Sequence, residues 1–172
     1  YHPHTGEIMQ LGTRMVEQYK RPEWQFNKIL YIEKEGFFSI LIDEQWPEKH
    51  DCALLTSKGQ ATRAVKDLLD YLGDTGEDIL FYCVHDADAA GTQIYQSLQD
   101  ATPSRPGRKV QIINLGLEPW EAVDMGLQVE DLPESKQQKP YANYVPESWG
   151  TWLQTHRTEL NVMGPALFIA WL

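Results

Sequence analysis

Several things are scarce in this chain of 172 residues, and each scarcity narrows what it can be. There are only two cysteines, Cys52 and Cys83, both in or beside apolar runs. They read as buried, reduced thiols of a cytoplasmic protein rather than a disulfide or metal site. No apolar run approaches the roughly 20 residues that span a bilayer, and no signal peptide opens the chain, so no membrane partner is expected. There is no low-complexity tract and no internal repeat. Positive charge is short as well: 15 Lys and Arg stand against 25 Asp and Glu, a net charge of −10. That argues against a stand-alone, high-affinity nucleic-acid binder. It leaves room for an acidic catalytic module whose metal and neighbouring domains supply the positive charge. No Met precedes Tyr1-His2-Pro3-His4 and no polar tail follows Ile169-Ala170-Trp171-Leu172, so the chain reads as a piece of a longer protein. His2 and His4 have no third ligand nearby and read as loop histidines.

What is present centres on Ile79–Gly91, ILFYCVHDADAAG. Ile79 to Val84 is a short apolar run, which predicts a strand buried on both faces. Residues two apart on an extended chain share a side. Asp86 and Asp88 should therefore project together from the carboxyl end of that strand. Two close carboxylates repel and are costly to bury unpaired. A hard cation such as Mg2+ removes that cost, because it takes one or two carboxylates and keeps several waters. Gly91 leaves room for a ligand, and a helix can begin there. The plainer alternative is an Asp pair that caps the next helix. His85 faces the other side of the strand and reads as a packed histidine.

The rest of the chain alternates. Glu7–Lys20 carries Ile8, Leu11, Met15, Val16 and Tyr19 at helical spacing, closed by Arg21-Pro22. Ile29-Leu30-Tyr31-Ile32 is a second buried-strand run, with Glu33 at its carboxyl end. A helix on Phe37, Ile40 and Leu41 runs to about Gln45 and is closed by Pro47. The alternative for Glu33 is a first-turn acid that favours the dipole of this helix. Cys52–Thr56 is a third strand, followed by the tight turn Ser57-Lys58-Gly59-Gln60. Then Ala61, Val65, Leu68, Leu69 and Leu72 share one helical face, and Arg63, Lys66, Asp67 and Asp70 take the other. After Gly91, Ile94 and Leu98 predict a helix broken by Pro103–Gly107. Val110–Leu115 is a fourth strand, and Pro119 opens a short helix ending by Gly126. Pro133–Pro146 reads as a surface loop, Glu147–Leu160 as one helix, and Pro165 opens a last helix through Leu172. Such alternation predicts an α/β sandwich on a parallel sheet of about four strands, with helices on both faces. Ligands of such sheets bind at the carboxyl ends of strands. Glu33, the Ser57–Gln60 turn and Asp86/Asp88 all fall at such ends. Three carboxylates there point to a metal site more than to helix capping.

These motifs together resemble a Toprim domain, a Rossmann-like fold with a glutamate after its first strand and Asp-x-Asp after its third. The resemblance is nearest to the A subunits of topoisomerase VI and to their meiotic double-strand-break relative. It rests on Glu33-Lys34-Glu35-Gly36-Phe37-Phe38, on Thr56-Ser57-Lys58-Gly59-Gln60 with Arg63, and on Asp86-Ala87-Asp88 with Gly91. Leu115-Gly116 and Glu159-Leu160-Asn161-Val162-Met163 extend it toward the end of the chain. It implies a lead-in over 1–27 and a Toprim domain with a helical extension over 28–172. The family's Pro-Tyr after Asp-Ala-Asp is Ala89-Ala90 here, a departure beside the substrate.

The resemblance implies a Mg2+-dependent phosphodiester reaction on DNA, with Mn2+ able to substitute. Asp86 and Asp88 would hold the metal, and Glu33 would join them or act as general acid/base. Lys34, Lys58 and Arg63 are candidates for DNA phosphate contacts, and Gly59 and Gly91 for structural turns. The implied partners are DNA, an upstream tyrosine-bearing or winged-helix domain, a second copy of the chain and an ATPase subunit, at the nucleoid of a bacterial or archaeal cell. None of the eight tyrosines sits in a strand-breakage motif. Two other classes share these features: a Toprim nuclease of the overcoming-lysogenization or plasmid-defence type, with water as nucleophile, and a non-catalytic metal-binding module.

Overall fold

Lys28–Ile32 (β1) is the central strand. Leu30 and Ile32 within it are completely buried, as a strand covered on both faces requires. It pairs in parallel with Cys52–Leu55 (β2), Lys28 opposite Cys52 and Tyr31 opposite Leu55. Leu80–Val84 (β3) and Gln111–Asn114 (β4) complete a four-stranded parallel sheet in the order β2-β1-β3-β4. The order reverses between β1 and β3, the kind of switch point where open α/β sheets bind ligands. The computed structural model describes residues 1–8, 26–56, 62–76, 78–100, 107 and 109–172. Most of the expected Glu7–Lys20 helix, the Ser57–Gln60 turn with Lys58 and Gly59, and most of the Pro103–Gly107 break lie outside the described residues.

The helices between the strands are Glu35–Asp43 (α1), Trp46–His50 (α2), Thr62–Asp74 (α3) and Ala89–Gln99 (α4). On α3, Ala64, Val65, Leu68, Leu69 and Leu72 are buried, the apolar stripe that its spacing predicts. Pro47 does not simply close α1. The chain turns at Gln45, in the left-handed region at φ 54°, and Pro47 then lies in the first turn of α2. There its missing N–H has no helical partner to lose.

By its contacts the chain forms two compact units: 1–83 with 98–113, and 84–97 with 114–172. The first holds β1, β2 and all but the last residue of β3 and β4; the second begins at those last residues, Val84 and Asn114. It contains Pro119–Asp124 (α5), Glu147–Leu153 (α6), Pro165–Trp171 (α7) and a short antiparallel pair, Glu130–Asp131 (β5) with His156–Arg157 (β6). Ala89, Ala142, Val145 and Leu153 form a small core there, with Trp120, Tyr141, Trp149 and Trp152 packed against it.

Two expectations fail in the second unit. The Glu147–Leu160 segment is not one helix: α6 stops at Leu153, and the chain turns into β6 and a 3₁₀ turn at Leu160–Val162. His156 and Arg157 leave the helix because Asp131 and Glu130 pair with them across the short ladder, at 3.3 and 2.8 Å. Nor is Pro133–Pro146 only a surface loop. Ala142 is completely buried, and its N–H donates to the Thr92 hydroxyl at 3.1 Å.

Both cysteines are buried and free, as expected. Burial pushes the Cys52 thiol up to about 12 and the Cys83 thiol well above its ordinary range, which keeps both unreactive. Among the described residues, no helix is long and apolar enough to cross a membrane.

Candidate metal centre

In the first unit, β1 ends at Ile32 and Glu33 follows half-buried. The Thr56 hydroxyl donates to the Glu33 carbonyl at 3.2 Å, tying the end of β2 to the end of β1. Lys34 caps α1, and Glu35, exposed, sits in its first turn. There its charge meets the positive end of the helix dipole. Arg63 is exposed on the first turn of α3.

In the second unit, Asp86 stands two residues past β3 and is only 6% exposed. Its Oδ1 accepts the Leu160 N–H at 2.8 Å. Ala87 exchanges backbone hydrogen bonds with Thr158, at 2.9 and 3.0 Å. Asp88 Oδ1 accepts the Gly91 N–H at 2.6 Å, so Asp88 does cap α4 with one oxygen. Asp86 is no cap, because its partner lies far along the chain. The turn has no room at Gly91: an added Cβ would stand 2.4 Å from the Asp86 carbonyl oxygen. His2 and His4 form no metal pair; His2 Nδ1 accepts the His4 N–H at 3.1 Å, and His4 Nε2 meets Asp51 at 2.8 Å.

Arg157 is a residue that motif reading passed over, although it lies two positions before the quoted Glu159. Two of its N–H groups donate to Glu130, at 2.9 and 2.8 Å, and Nη1 pairs with Glu159 at 2.8 Å. The Glu130 bond, with the fields of Glu159, Glu130 and Asp88, holds this guanidinium above its ordinary pKa. Its charge offsets part of the repulsion that two neighbouring carboxylates suffer.

His85 is 1% exposed, packed as its position predicts, but in a polar setting. Its Nδ1 lies 2.8 Å from the Asp86 carbonyl and its Nε2 3.1 Å from Asn114 Oδ1. Asn114 Nδ2 donates to Glu118 at 2.6 Å, and the Tyr144 hydroxyl donates to the same Glu118 oxygen at 2.9 Å. The other Glu118 oxygen is buried without a hydrogen bond, which costs about 1–3 kcal/mol. Residues 29 to 59 positions apart meet here, which no local pattern signals.

Burial holds the Glu118 carboxyl above its ordinary value of 4.5, against the opposing pull of His85, Tyr144 and Asn114. A carboxyl raised in the folded state contributes stability that is fully present below its unfolded pKa and lost as pH rises through the folded one. Glu118→Gln removes that slope. The stability of the variant relative to wild type should therefore rise between about pH 4 and about pH 7, read by urea unfolding at both. An unchanged difference would mean that burial does not bias this carboxyl.

Among the described residues, no group of three or more His, Cys, Asp or Glu is placed to hold a metal ion. The donor set at the turn is two carboxylates, each with one oxygen oriented by a backbone N–H. All-oxygen donors of this number suit Mg2+, which keeps its waters and takes one or two carboxylates, and not Zn2+, which seeks nitrogen and sulfur.

Residues 28–164 match the family described as the Toprim domain of the topoisomerase 6 A subunits and Spo11. Among curated relatives, the chain is 30% identical over 88 residues to the type 2 DNA topoisomerase 6 protein, A-type, of Pyrococcus abyssi, covering 51% of this chain and 22% of that protein. It is 26% identical over 120 residues to the protein of that name from Pyrococcus horikoshii, covering 69% of this chain and 30% of the relative. The chain thus spans less than a third of the curated relatives it matches. The family match takes in both strand ends, the Asp-Ala-Asp turn and the Glu159 element, and the chain belongs to the Toprim family of topoisomerase 6 A subunits and Spo11.

Proposed function

We propose that this chain is the Mg2+-binding Toprim domain of a topoisomerase VI A-like DNA-cleaving protein, supporting phosphodiester transesterification by a tyrosine in an upstream domain. The observation that carries this reading is the Asp86-Ala87-Asp88 turn at the end of β3, fastened by Leu160, Thr158 and Gly91. A pair of like charges is held in one place at a cost that only a positive ligand offsets.

Asp86 and Asp88 would hold Mg2+, which when bound would neutralise the scissile phosphate and stabilise the charge of the transition state. Glu33, at the end of β1, either shares in holding it or moves the proton as general acid/base. Lys34, Lys58 and Arg63 would contact phosphate oxygens and set the register of the strand. The relatives carry the name of a topoisomerase component, and pairing with a second copy and with a separate ATPase chain is part of this reading. The net charge of −10 leaves most of the DNA grip to other domains.

The test is cleavage of supercoiled and linear DNA by the longer protein with Mg2+, resolved on denaturing gels. Strand breaks that carry covalently bound protein support transesterification. Breaks with free ends would replace it by hydrolysis, the nuclease alternative. Cleavage that proceeds unchanged in EDTA would remove the metal from the reading.

A further inference from the structure

The catalytic reading uses Asp86 and Asp88 but leaves His85 unexplained. A histidine this deeply buried beside a proposed metal ligand needs a reason. Its ring is fenced on two sides by glycines. A Cβ at Gly116 would stand 2.1 Å from His85 Nε2, and one at Gly91 would stand 3.1 Å from Nδ1. The imidazole therefore fills a slot that no side chain at either position would leave open. The slot is also polar at both ends. Nδ1 faces a carbonyl, that of Asp86, at 2.8 Å. A carbonyl only accepts, so Nδ1 carries a proton and donates. Nε2 faces Asn114 Oδ1 at 3.1 Å and the Tyr144 hydroxyl at 3.4 Å. The Gly116 N–H donates to the same Asn114 oxygen at 2.8 Å, which fixes the amide's orientation. Glu118, 8% exposed, then holds Asn114 and Tyr144 together.

We infer that His85 is a positioning residue for Asp86. Held by Asn114, Glu118 and Tyr144, its Nδ1–H fixes the Asp86 carbonyl, and with it the direction in which the Asp86 carboxylate leaves the chain. The Leu160 N–H fixes the same carboxylate from its far end. Asp86 is thus gripped at main chain and side chain, the arrangement by which outer contacts tune a metal ligand. This inference rests on the reading that Asp86 and Asp88 hold the metal. It concerns residues that play no part in that reading.

The test separates the Nδ1 bond from ring packing. In His85→Asn the amide nitrogen takes the place of Nδ1; in His85→Gln it reaches the place of Nε2 and the bond to Asp86 is lost. Both variants remove the ring. Manganese binding by this chain is read by calorimetry, and hydrogen exchange of the Leu160 amide by NMR. His85→Asn should keep Mn2+ affinity within about threefold, and His85→Gln should lose about tenfold or more. Leu160 exchange should quicken in His85→Gln alone. Equal behaviour of the two variants in both readouts overturns the inference, because a merely structural ring would be missed equally by each. Absence of Mn2+ binding in wild type would overturn the metal reading instead, while the Leu160 comparison still decides the positioning. If neither variant folds, Tyr144→Phe replaces them, since Tyr144 is 37% exposed. Its loss should shift the 15N signals of the His85 ring and weaken Mn2+ binding about threefold; no change in either overturns the inference.

Discussion

Asp86→Asn should weaken Mg2+ and Mn2+ binding by about 100-fold or more while leaving the fold in place, because the two roles of Asp86 separate in this substitution. Asparagine keeps an oxygen to accept the Leu160 N–H, now 2.8 Å from Asp86 Oδ1. The bond falls from charge-assisted to neutral, at a cost of about 1 kcal/mol. The anionic charge that a hard cation needs is gone. Asp86→Ala is the less informative variant. It also leaves the buried Leu160 N–H without its acceptor, and that alone costs about 1–3 kcal/mol. Calorimetric titration with MnCl2 beside urea unfolding reads both roles at once. Affinity within threefold of wild type in Asp86→Asn would take Asp86 out of the metal centre.

Gly91→Ala should lower stability by about 3 kcal/mol, although helix propensity alone favours it. Gly91 is the third residue of α4, and alanine gains about 1 kcal/mol over glycine inside a helix. Against that gain stands the added Cβ, 2.4 Å from the Asp86 carbonyl oxygen and 3.2 Å from its nitrogen. Those are backbone atoms, tied down by the Ala87–Thr158 bridge, and they cannot swing aside as a side-chain tip does. Overpacking of this kind costs about 1–3 kcal/mol. Any retreat of α4 also strains the 2.6 Å bond from the Gly91 N–H to Asp88, a charge-assisted contact of about 1.5–3 kcal/mol. At about 2–4 °C per kcal/mol for a chain of this size, the melting temperature should fall by about 6–12 °C. Gly36→Ala is the control. Gly36 lies in α1 with nothing within 4 Å of an added Cβ, and it should gain about 0.5–1 kcal/mol. Thermal melts of the two variants should move in opposite directions; a neutral Gly91→Ala would mean that the turn yields.

The sheet is legible in the sequence because each strand is a run of apolar residues too short to be a helix, and Leu80–Val84 shows this best. The acids at the strand ends are legible too, since Glu33 and Asp86 closely follow such runs. The second unit is not. Its core rests on Ala142 and Val145, small residues inside a polar stretch, held by contacts with Thr92 and Gln96 some 50 residues away. The early stop of α6 depends on partners at Glu130 and Asp131. Helical spacing is a property of neighbours, and these determinants are not neighbours. Pro47 shows a local limit as well: the same residue ends one helix or begins the next, and only the left-handed turn at Gln45 decides between them.

The bond from Leu160 to Asp86 closes a loop of 74 residues, and this sets an order of events. As the chain leaves the ribosome, the sheet strands that precede Asp86 are available long before Leu160 is. Contacts of such separation form late, since the entropy of loop closure opposes them until other structure has shortened the path. A nascent chain therefore carries Asp86 for tens of residues with its carboxylate unoriented. Chemistry that breaks DNA would then be withheld until the last segment of this chain has folded back.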